Sequence, residues 1–162
     1  MNKEQVMQFL PHRDPFLFID SVKEVVLPEA MKGKKSGLLP AELIGAKSIC
    51  NYRVDEKTKV LEGHFPGNPI LPGVVQVEMM AQAASFVSIF SLNKPIEETK
   101  LTVALISVDS ARFRKPITPV MDLEIHSTVA KVRGQFWVYD CEIYNAGELM
   151  SQCSVMATLK ID

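Results

Sequence analysis

The sequence predicts an α+β fold in which an antiparallel sheet wraps one long buried helix. Residues 74–92 are apolar on most faces, as a helix in a protein core is. From residue 101 onwards three or four β-rich segments follow, with turn signals at Arg133-Gly134 and at Asn145-Ala146-Gly147. One buried helix and about five or six strands require the sheet to cover the helix, because nothing else in the chain can do so.

Length and composition predict a single domain over residues 1–162, because 47% of the residues are hydrophobic and a chain of this size buries about 70% of its unfolded surface. The cysteines are three in number, without a C-x-x-C spacing, so they indicate neither a disulfide framework nor a zinc site. They are Cys50, Cys141 and Cys153. The amino end lacks the continuous apolar stretch of a secretory signal, and we therefore expect a cytoplasmic protein.

Several classes of function are disfavoured. The formal net charge of −1 offers no broad positive field for nucleic acid. The long apolar segment contains Gln76, Glu78 and Gln82, which predicts a buried helix and not a membrane span. The sequence has no G-x-S-x-G elbow, no Walker lysine loop, no H-E-x-x-H and no G-x-G-x-x-G between a strand and a helix. Hydrolysis, nucleotide binding and metal binding are therefore disfavoured as functions.

The remaining elements follow from local signals. Residues 3–10 have helical spacing that Pro11 ends. Residues 16–26 and 42–54 are predicted to be strands. Residues 63–73 contain three prolines and three glycines, so no helix or regular strand can run through them and they predict a shaped loop. Pro72 suits the first turn of the helix that follows.

Three histidines are candidates for acid-base chemistry, and their settings differ. His126 shares a strand face with Glu124 and Thr128, which predicts a solvated strand residue. His12 fits a surface residue and a residue of a binding mouth equally well. His64 lies in the shaped loop directly before the core helix, near the free N–H groups of a helix N-terminus, where a catalytic histidine is well placed.

Glu78 is the candidate carboxylate, about 9 Å along the helix from its start. With Gln82 and Ser85 it forms a narrow polar stripe that faces either water or a cleft. In a cleft, desolvation would raise the pKa of Glu78 and keep it protonated near neutral pH. Cys141 and Cys153 are expected near each other across a hairpin, where buried hydrophobic roles are favoured over a redox role.

Three motifs stand out along the chain. The longest is GHFPGNPILPGVVQVEMMAQ at residues 63–82. It is preceded by LPHRDPFLFID at residues 10–20 and followed by FRKPITP at residues 113–119. In this order the three motifs resemble the bacterial 3-hydroxyacyl-acyl-carrier-protein dehydratases of the FabZ type, and the resemblance spans almost the whole chain.

The resemblance implies a hot-dog fold and an obligate homodimer, often assembled further as a trimer of dimers. It implies a catalytic pair of His64 from one subunit and Glu78 from the other, acting on a 3-hydroxyacyl thioester of acyl carrier protein. His64 would take the C2 proton and Glu78 would give one to the departing hydroxyl. No metal or organic cofactor is required, and the glutamate at position 78 makes an additional isomerase activity less favoured.

Backbone N–H groups of Gly73 and Val74 are expected to hold the thioester oxygen. Other residues expected at the substrate site are Phe65, Pro72, Gln82 and Phe86. We further expect an acidic carrier protein to dock on Arg112, Arg114 and Lys115, although a solvated strand face explains these charges equally well.

Some positions depart from the family pattern. Asp14 stands where tyrosine is common, Val120 follows Pro119 where a glycine is usual, and Phe86 lies where glycines are frequent. These departures suggest a divergent paralogue in a specialised acyl pathway. They also keep two other functions open, a hot-dog thioesterase and a non-catalytic acyl-binding or assembly module.

Overall fold

The computed structural model describes residues 1–161. Its strands and helices follow one another along the chain as α1 (Lys3–Phe9), β1 (Ser21–Val26), β2 (Lys47–Val54), α2 (Gly73–Ser85), β3 (Leu101–Phe113), β4 (Met121–Arg133), β5 (Phe136–Asn145) and β6 (Glu148–Ile161). The strands form an antiparallel sheet in the order β1-β2-β4-β5-β6-β3. The predicted α+β class, with one long helix against an antiparallel sheet, is confirmed.

The core lies between α2 and the concave side of the sheet. Met79, Met80 and Ala83 of α2 are fully buried. Two serine hydroxyls from the sheet reach this helix: Ser48 donates to the Ala83 carbonyl at 2.7 Å and Ser127 to the Met80 carbonyl at 3.2 Å. Burying these hydroxyl groups does not leave an unsatisfied polar atom, because each has a hydrogen-bond partner.

Two predicted strands are shorter than expected. Residues 16–19 are not part of a strand: the Phe18 N–H donates to the Gln82 side chain at 2.9 Å. Backbone pairing with β2 starts with the Asp20 N–H, which donates to the Asn51 carbonyl at 2.9 Å, and β1 begins at Ser21. The strand predicted from residue 42 begins only at Lys47, as β2. Pro40–Leu43 instead forms a 3₁₀ turn in which the Glu42 carboxylate accepts a hydrogen bond from the Leu39 N–H at 2.8 Å. In both places a side chain satisfies a backbone N–H and so competes with strand pairing, from a distant helix at Phe18 and within the same turn at Leu39.

The core helix changes geometry along its length. After Ser85 it continues as a 3₁₀ helix over Phe86–Ser91. The whole segment Gly73–Ser91 has a mean hydropathy of 1.3 and the length of a membrane span, but 67% of it is buried inside the protein. It is a core helix, as predicted.

Cys141 and Cys153 are register partners on β5 and β6, which confirms their expected proximity. Both are free and buried, and the Cys153 sulfur lies 3.3 Å from the Met80 sulfur in the core. They pack as small apolar residues.

Val120 adopts a backbone conformation that β-branched residues rarely take. Its φ is 68°, in the left-handed region where glycine is preferred, while its N–H donates to the Val54 carbonyl at 2.8 Å. The side chain is 61% exposed and therefore contributes little packing. Such a conformation costs about 1–3 kcal/mol in a non-glycine residue.

We therefore expect Val120→Gly to stabilise the protein by about 1 kcal/mol, a rise in Tm of about 2–4 °C in thermal unfolding. The matched control is Val26→Gly, at a half-exposed position in β1 where glycine removes strand propensity and should lower Tm. A Tm of Val120→Gly at or below that of the wild type would contradict the strain at this turn.

Candidate active site

The His64 ring is fixed by the backbone of its own loop. Nδ1 lies 2.8 Å from the Ile70 carbonyl oxygen, which can only accept, so Nδ1 carries a hydrogen and donates it. The loop closes on itself, since the His64 N–H donates to the Leu61 carbonyl at 3.0 Å and the Ile70 N–H donates to the His64 carbonyl at 2.8 Å. The Phe65 ring stacks on the imidazole, with centroids 4.0 Å apart. In the neutral form Nε2 therefore keeps its lone pair and can act as a base.

An opening of about 290 Å³ lies beside His64. It is lined by His64, Ile70, Leu71, Gly73, Gln76, Phe113, Arg114, Lys115 and Pro116. Glycine is required at position 73, because a Cβ there would lie 2.8 Å from the Phe113 ring. Gly73 and Val74 are the first two residues of α2, following Pro72, and their N–H groups have no carbonyl partner within the helix. A negatively charged oxygen beside Gly73 would find a donor there.

Gln76 is a buried residue of this opening. From the sequence it was not predicted to be part of the site. Its Nε2 donates to the Leu71 carbonyl at 3.1 Å, which fixes the orientation of the amide. Its Oε1 is buried and has no hydrogen-bond partner in the described part of the chain. A polar residue in an otherwise apolar helix was the available signal.

Glu78 lies at a second, narrower opening of about 70 Å³. This opening is lined by His12, Glu78, Ala81, Gln82, Ser85, Val103, Leu105 and Ala157. The polar stripe of α2 thus faces a cleft, and the side chain of Glu78 is 28% exposed. Its Oε1 accepts a hydrogen bond from Gln82 Nε2 at 2.8 Å and lies 3.2 Å from His12 Nε2.

The expected rise in the pKa of Glu78 is wrong for this arrangement. The hydrogen bond from His12 lowers the pKa of Glu78 most, and the hydrogen bond from Gln82 and the charge of His12 lower it further. Desolvation raises it, but less than these contacts lower it. The sequence prediction counted burial and omitted the partners, because His12 is 66 positions away in the chain.

Gln82 also lines the Glu78 opening, and its side chain makes three hydrogen bonds within the chain. One amide hydrogen goes to Glu78, the other to the Phe16 carbonyl at 2.8 Å, and its Oε1 accepts from the Phe18 N–H at 2.9 Å. Its donors are therefore used within the chain, and it fixes both the carboxyl group and residues 16–18. Phe86 is fully buried against Phe9, with ring centroids 5.3 Å apart, and lines neither opening.

His126 is not the solvated strand residue that the pattern predicted. Its Nε2 lies 2.6 Å from the Glu124 carboxylate and its side chain is 17% exposed. Its ring packs against Tyr144, with centroids 5.0 Å apart. Asp14 lines neither opening, is exposed and pairs with Lys59 at 3.3 Å.

Within one chain the two openings are separate. Their lining residues do not overlap, and they meet β3 at different points: Leu105 lines the Glu78 opening and Phe113 lines the His64 opening. The two openings are neighbours along α2, because Gln76 lines the His64 opening and Glu78 lines the other. Within one chain the two predicted catalytic residues thus line different openings.

Relatives of known name share this sequence over nearly its full length. The FabZ 3-hydroxyacyl-acyl-carrier-protein dehydratase of Nitratiruptor sp. is 36% identical over 157 residues, which are 96% of this chain and 95% of that protein. The same enzyme of Thiobacillus denitrificans is 36% identical over 161 residues, 99% and 98% of the two chains. The family model for the ApeI-like proteins, described as ApeI dehydratase, matches residues 44–153.

Solved structures share the fold at low sequence identity. One is the dehydratase heterocomplex ApeI:P from Xenorhabdus doucetiae, with a TM-score of 0.66 at 18% identity over 96% of this chain and 90% of that chain. Another is a thioesterase of unproven activity from Lactococcus lactis, with a TM-score of 0.61 at 14% identity over 88% and 94% of the two chains. At these identities the structural likeness supports the fold alone.

The antiparallel sheet wrapped around one helix is the hot-dog fold, and the matching family model and the named relatives are dehydratases. On sequence the chain belongs to the FabZ 3-hydroxyacyl-acyl-carrier-protein dehydratases and the related ApeI-like dehydratases. It is accordingly an enzyme, a hydro-lyase, and the predicted family, fold and activity are confirmed.

Proposed function

We propose that this chain removes water from 3-hydroxyacyl thioesters of acyl carrier protein, giving trans-2-enoyl thioesters, at a site formed by two copies of the chain in the cytoplasm. The observation that carries the shared site is that the two openings, each a half-site, meet the edge strand β3 at different points, beside Leu105 and beside Phe113. His64 of one copy and Glu78 of the other complete each site.

The exposed edge of β3 supports the pairing of two copies. Its apolar side chains Leu105, Ile106, Val108 and Phe113 are each between 41% and 51% exposed. A long apolar edge strand pairs readily with another chain. An antiparallel pair of β3 strands centred near Asp109 sets Leu105 of one copy beside Phe113 of the other, and so joins the Glu78 opening to the His64 opening.

The half-sites together supply what dehydration needs. His64 Nε2 takes the proton from C2, the electron pair of that C–H bond forms the C2=C3 double bond, and the C3–O bond breaks. The hydroxyl leaves as water with a proton from Glu78. During the reaction negative charge grows on the thioester oxygen, and the free N–H groups of Gly73 and Val74 can stabilise it by about 3 kcal/mol per donor.

The activity is tested by following the enoyl-thioester absorbance while the purified protein acts on a short 3-hydroxyacyl thioester of acyl carrier protein, and then in reverse on the enoyl product. Interconversion in both directions is expected. Release of free thiol without enoyl product would replace the proposal with a thioesterase, and binding without turnover would replace it with an acyl-binding module.

Basic residues beside the His64 opening are where we place the carrier protein. Arg114 and Lys115 line that opening, and Arg112 is exposed on the adjoining end of β3. Lys115 forms an ion pair with Glu148. Arg114 donates to the side-chain oxygen of Gln152 at 2.7 Å, and because Gln152 is neutral this contact leaves the charge of Arg114 uncompensated. An acidic carrier would meet this charge as its acyl arm enters beside His64.

Reversing Arg112 and Arg114 to Glu should raise KM for the carrier-bound substrate about tenfold with kcat nearly unchanged, because rim charges act mainly on association. KM for a small thioester without the carrier should stay at the wild-type value. The control reverses Lys131 and Arg133, which are exposed at the β4–β5 turn. An equal effect of both double variants would show that the docking surface lies elsewhere.

A further inference from the structure

We propose that His12 is a positioning residue of the dehydratase site: it fixes one carboxyl oxygen of Glu78 and shares with Glu78 the proton that the leaving hydroxyl receives. This inference rests on the proposed function and adds a third residue to its acid-base chemistry. The sequence left His12 undecided between a surface residue and a residue of the binding mouth.

The carboxyl group of Glu78 is held through one of its two oxygens. Both close contacts of Glu78 are made through Oε1, with Gln82 Nε2 at 2.8 Å and His12 Nε2 at 3.2 Å. The structure shows no hydrogen bond to Oε2 within the described residues. The two neighbours therefore hold the carboxyl plane and leave Oε2 for a substrate in the opening.

His12 is itself held in place by its neighbours in the chain. The Arg13 guanidinium donates to the carbonyls of Leu10 at 2.9 Å and of His12 at 2.7 Å. Gln82 fixes the following residues through the Phe16 carbonyl. The His12 Nδ1 is buried without a hydrogen-bond partner in residues 1–161, so its only close polar contact through the ring is the one to Glu78. A ring held in this way orients the group it contacts.

Glu78 and His12 can share the proton that dehydration requires. A glutamate that acts as an acid must hold a proton at working pH, yet the contacts of Glu78 lower its pKa. An imidazole at hydrogen-bond distance resolves this conflict, because a proton shared by the pair can rest on either member. When the hydroxyl leaves, one proton passes from the pair to form water, and the pair remains as neutral imidazole and carboxylate. The proton that His64 took from C2 is lost to solvent, and the pair takes up another from solvent.

Few other charged groups face this pair. The remaining side chains that line the opening, from α2, β3 and β6, are uncharged. Arg13 adjoins His12 but donates to backbone carbonyls, and Asp14 is exposed and paired with Lys59. In the proposed dimer the other titratable group near the pair is His64 of the second copy. The alkaline limb of the pH profile therefore reports the proton of the His12–Glu78 pair.

The test compares the pH profiles of kcat for the wild type and His12→Gln, with His126→Gln as the matched control, since His126 also contacts a glutamate but lies outside the site. Without the imidazole the proton rests on the carboxyl alone. A carboxyl group ordinarily loses its proton at lower pH than an imidazole does, so the alkaline limb should move to lower pH. At pH 8 kcat should fall about tenfold or more, with KM changed less than about twofold.

An alkaline limb that stays in place in folded His12→Gln, or one that moves equally in His126→Gln, overturns the role of His12. Absence of turnover by the wild type would instead overturn the proposed function, so the two failures are distinguishable. If His12→Gln does not fold, the nitrogen NMR resonances of His12 in the wild-type protein provide the same test. They should titrate over the range of the alkaline limb, and resonances that do not change over that range overturn the proposal.

Discussion

Replacing His64 by Ala is expected to lower kcat for dehydration about 10²- to 10⁴-fold, the usual contribution of a general base. The reason is the fixed tautomer: the Ile70 carbonyl takes the Nδ1 hydrogen, so Nε2 is the nitrogen that removes the C2 proton. The enoyl-thioester absorbance, followed in both directions, measures the effect. Hydration of the enoyl substrate should fall by the same factor, because the same base serves both directions.

The control for this variant is His126→Ala, which removes a histidine from the sheet face outside both openings and should leave kcat nearly unchanged. Thermal unfolding of His64→Ala shows whether the loop at residues 63–72 keeps its structure. A folded His64→Ala protein that keeps more than about a tenth of its activity would contradict the role of His64 as the base.

Replacing Glu78 by Gln is expected to lower kcat by a similar factor, about 10²- to 10⁴-fold, because the amide keeps the size of the carboxyl group but cannot supply its proton. KM should change little, since the substrate contacts that we propose lie at the helix N-terminus beside Gly73. Steady-state kinetics with one carrier-bound substrate separate the two parameters.

Glu124→Gln is the matched control, since Glu124 also contacts a histidine, but on the outer part of the sheet. It should retain wild-type kcat. A higher KM with unchanged kcat in Glu78→Gln would make Glu78 a binding residue and not the acid.

Much of the fold follows from local pattern in the sequence. The apolar segment after Pro72 predicts the core helix, and the Asn145-Ala146-Gly147 turn predicts the last hairpin, and both are present. The errors have one physical cause. At Phe18 and at Leu39 a side chain satisfies a backbone N–H, and a strand pattern read from side-chain alternation does not detect such contacts.

The site is predicted less completely, because its chemistry depends on contacts between distant parts of the chain. His64 and Glu78 stand in recognisable motifs, yet the partner that lowers the pKa of Glu78 comes from the residues before β1. Gln82 is recognisable as a polar residue one turn after Glu78, but its bonds to Phe16 and Phe18 depend on the tertiary fold. Single residues are thus predicted better than their electrostatic environment.

The most direct test of the central claim, a site shared by two copies, is to mix the two inactive variants. His64→Ala and Glu78→Gln are unfolded and refolded together in equal amounts, beside each variant refolded alone. Half of the dimers should then be mixed, and each mixed dimer has one site with both an intact His64 and an intact Glu78, so about a quarter of the wild-type activity should return. Activity that stays at the level of the separate variants, although mixed dimers have formed, would contradict the shared site.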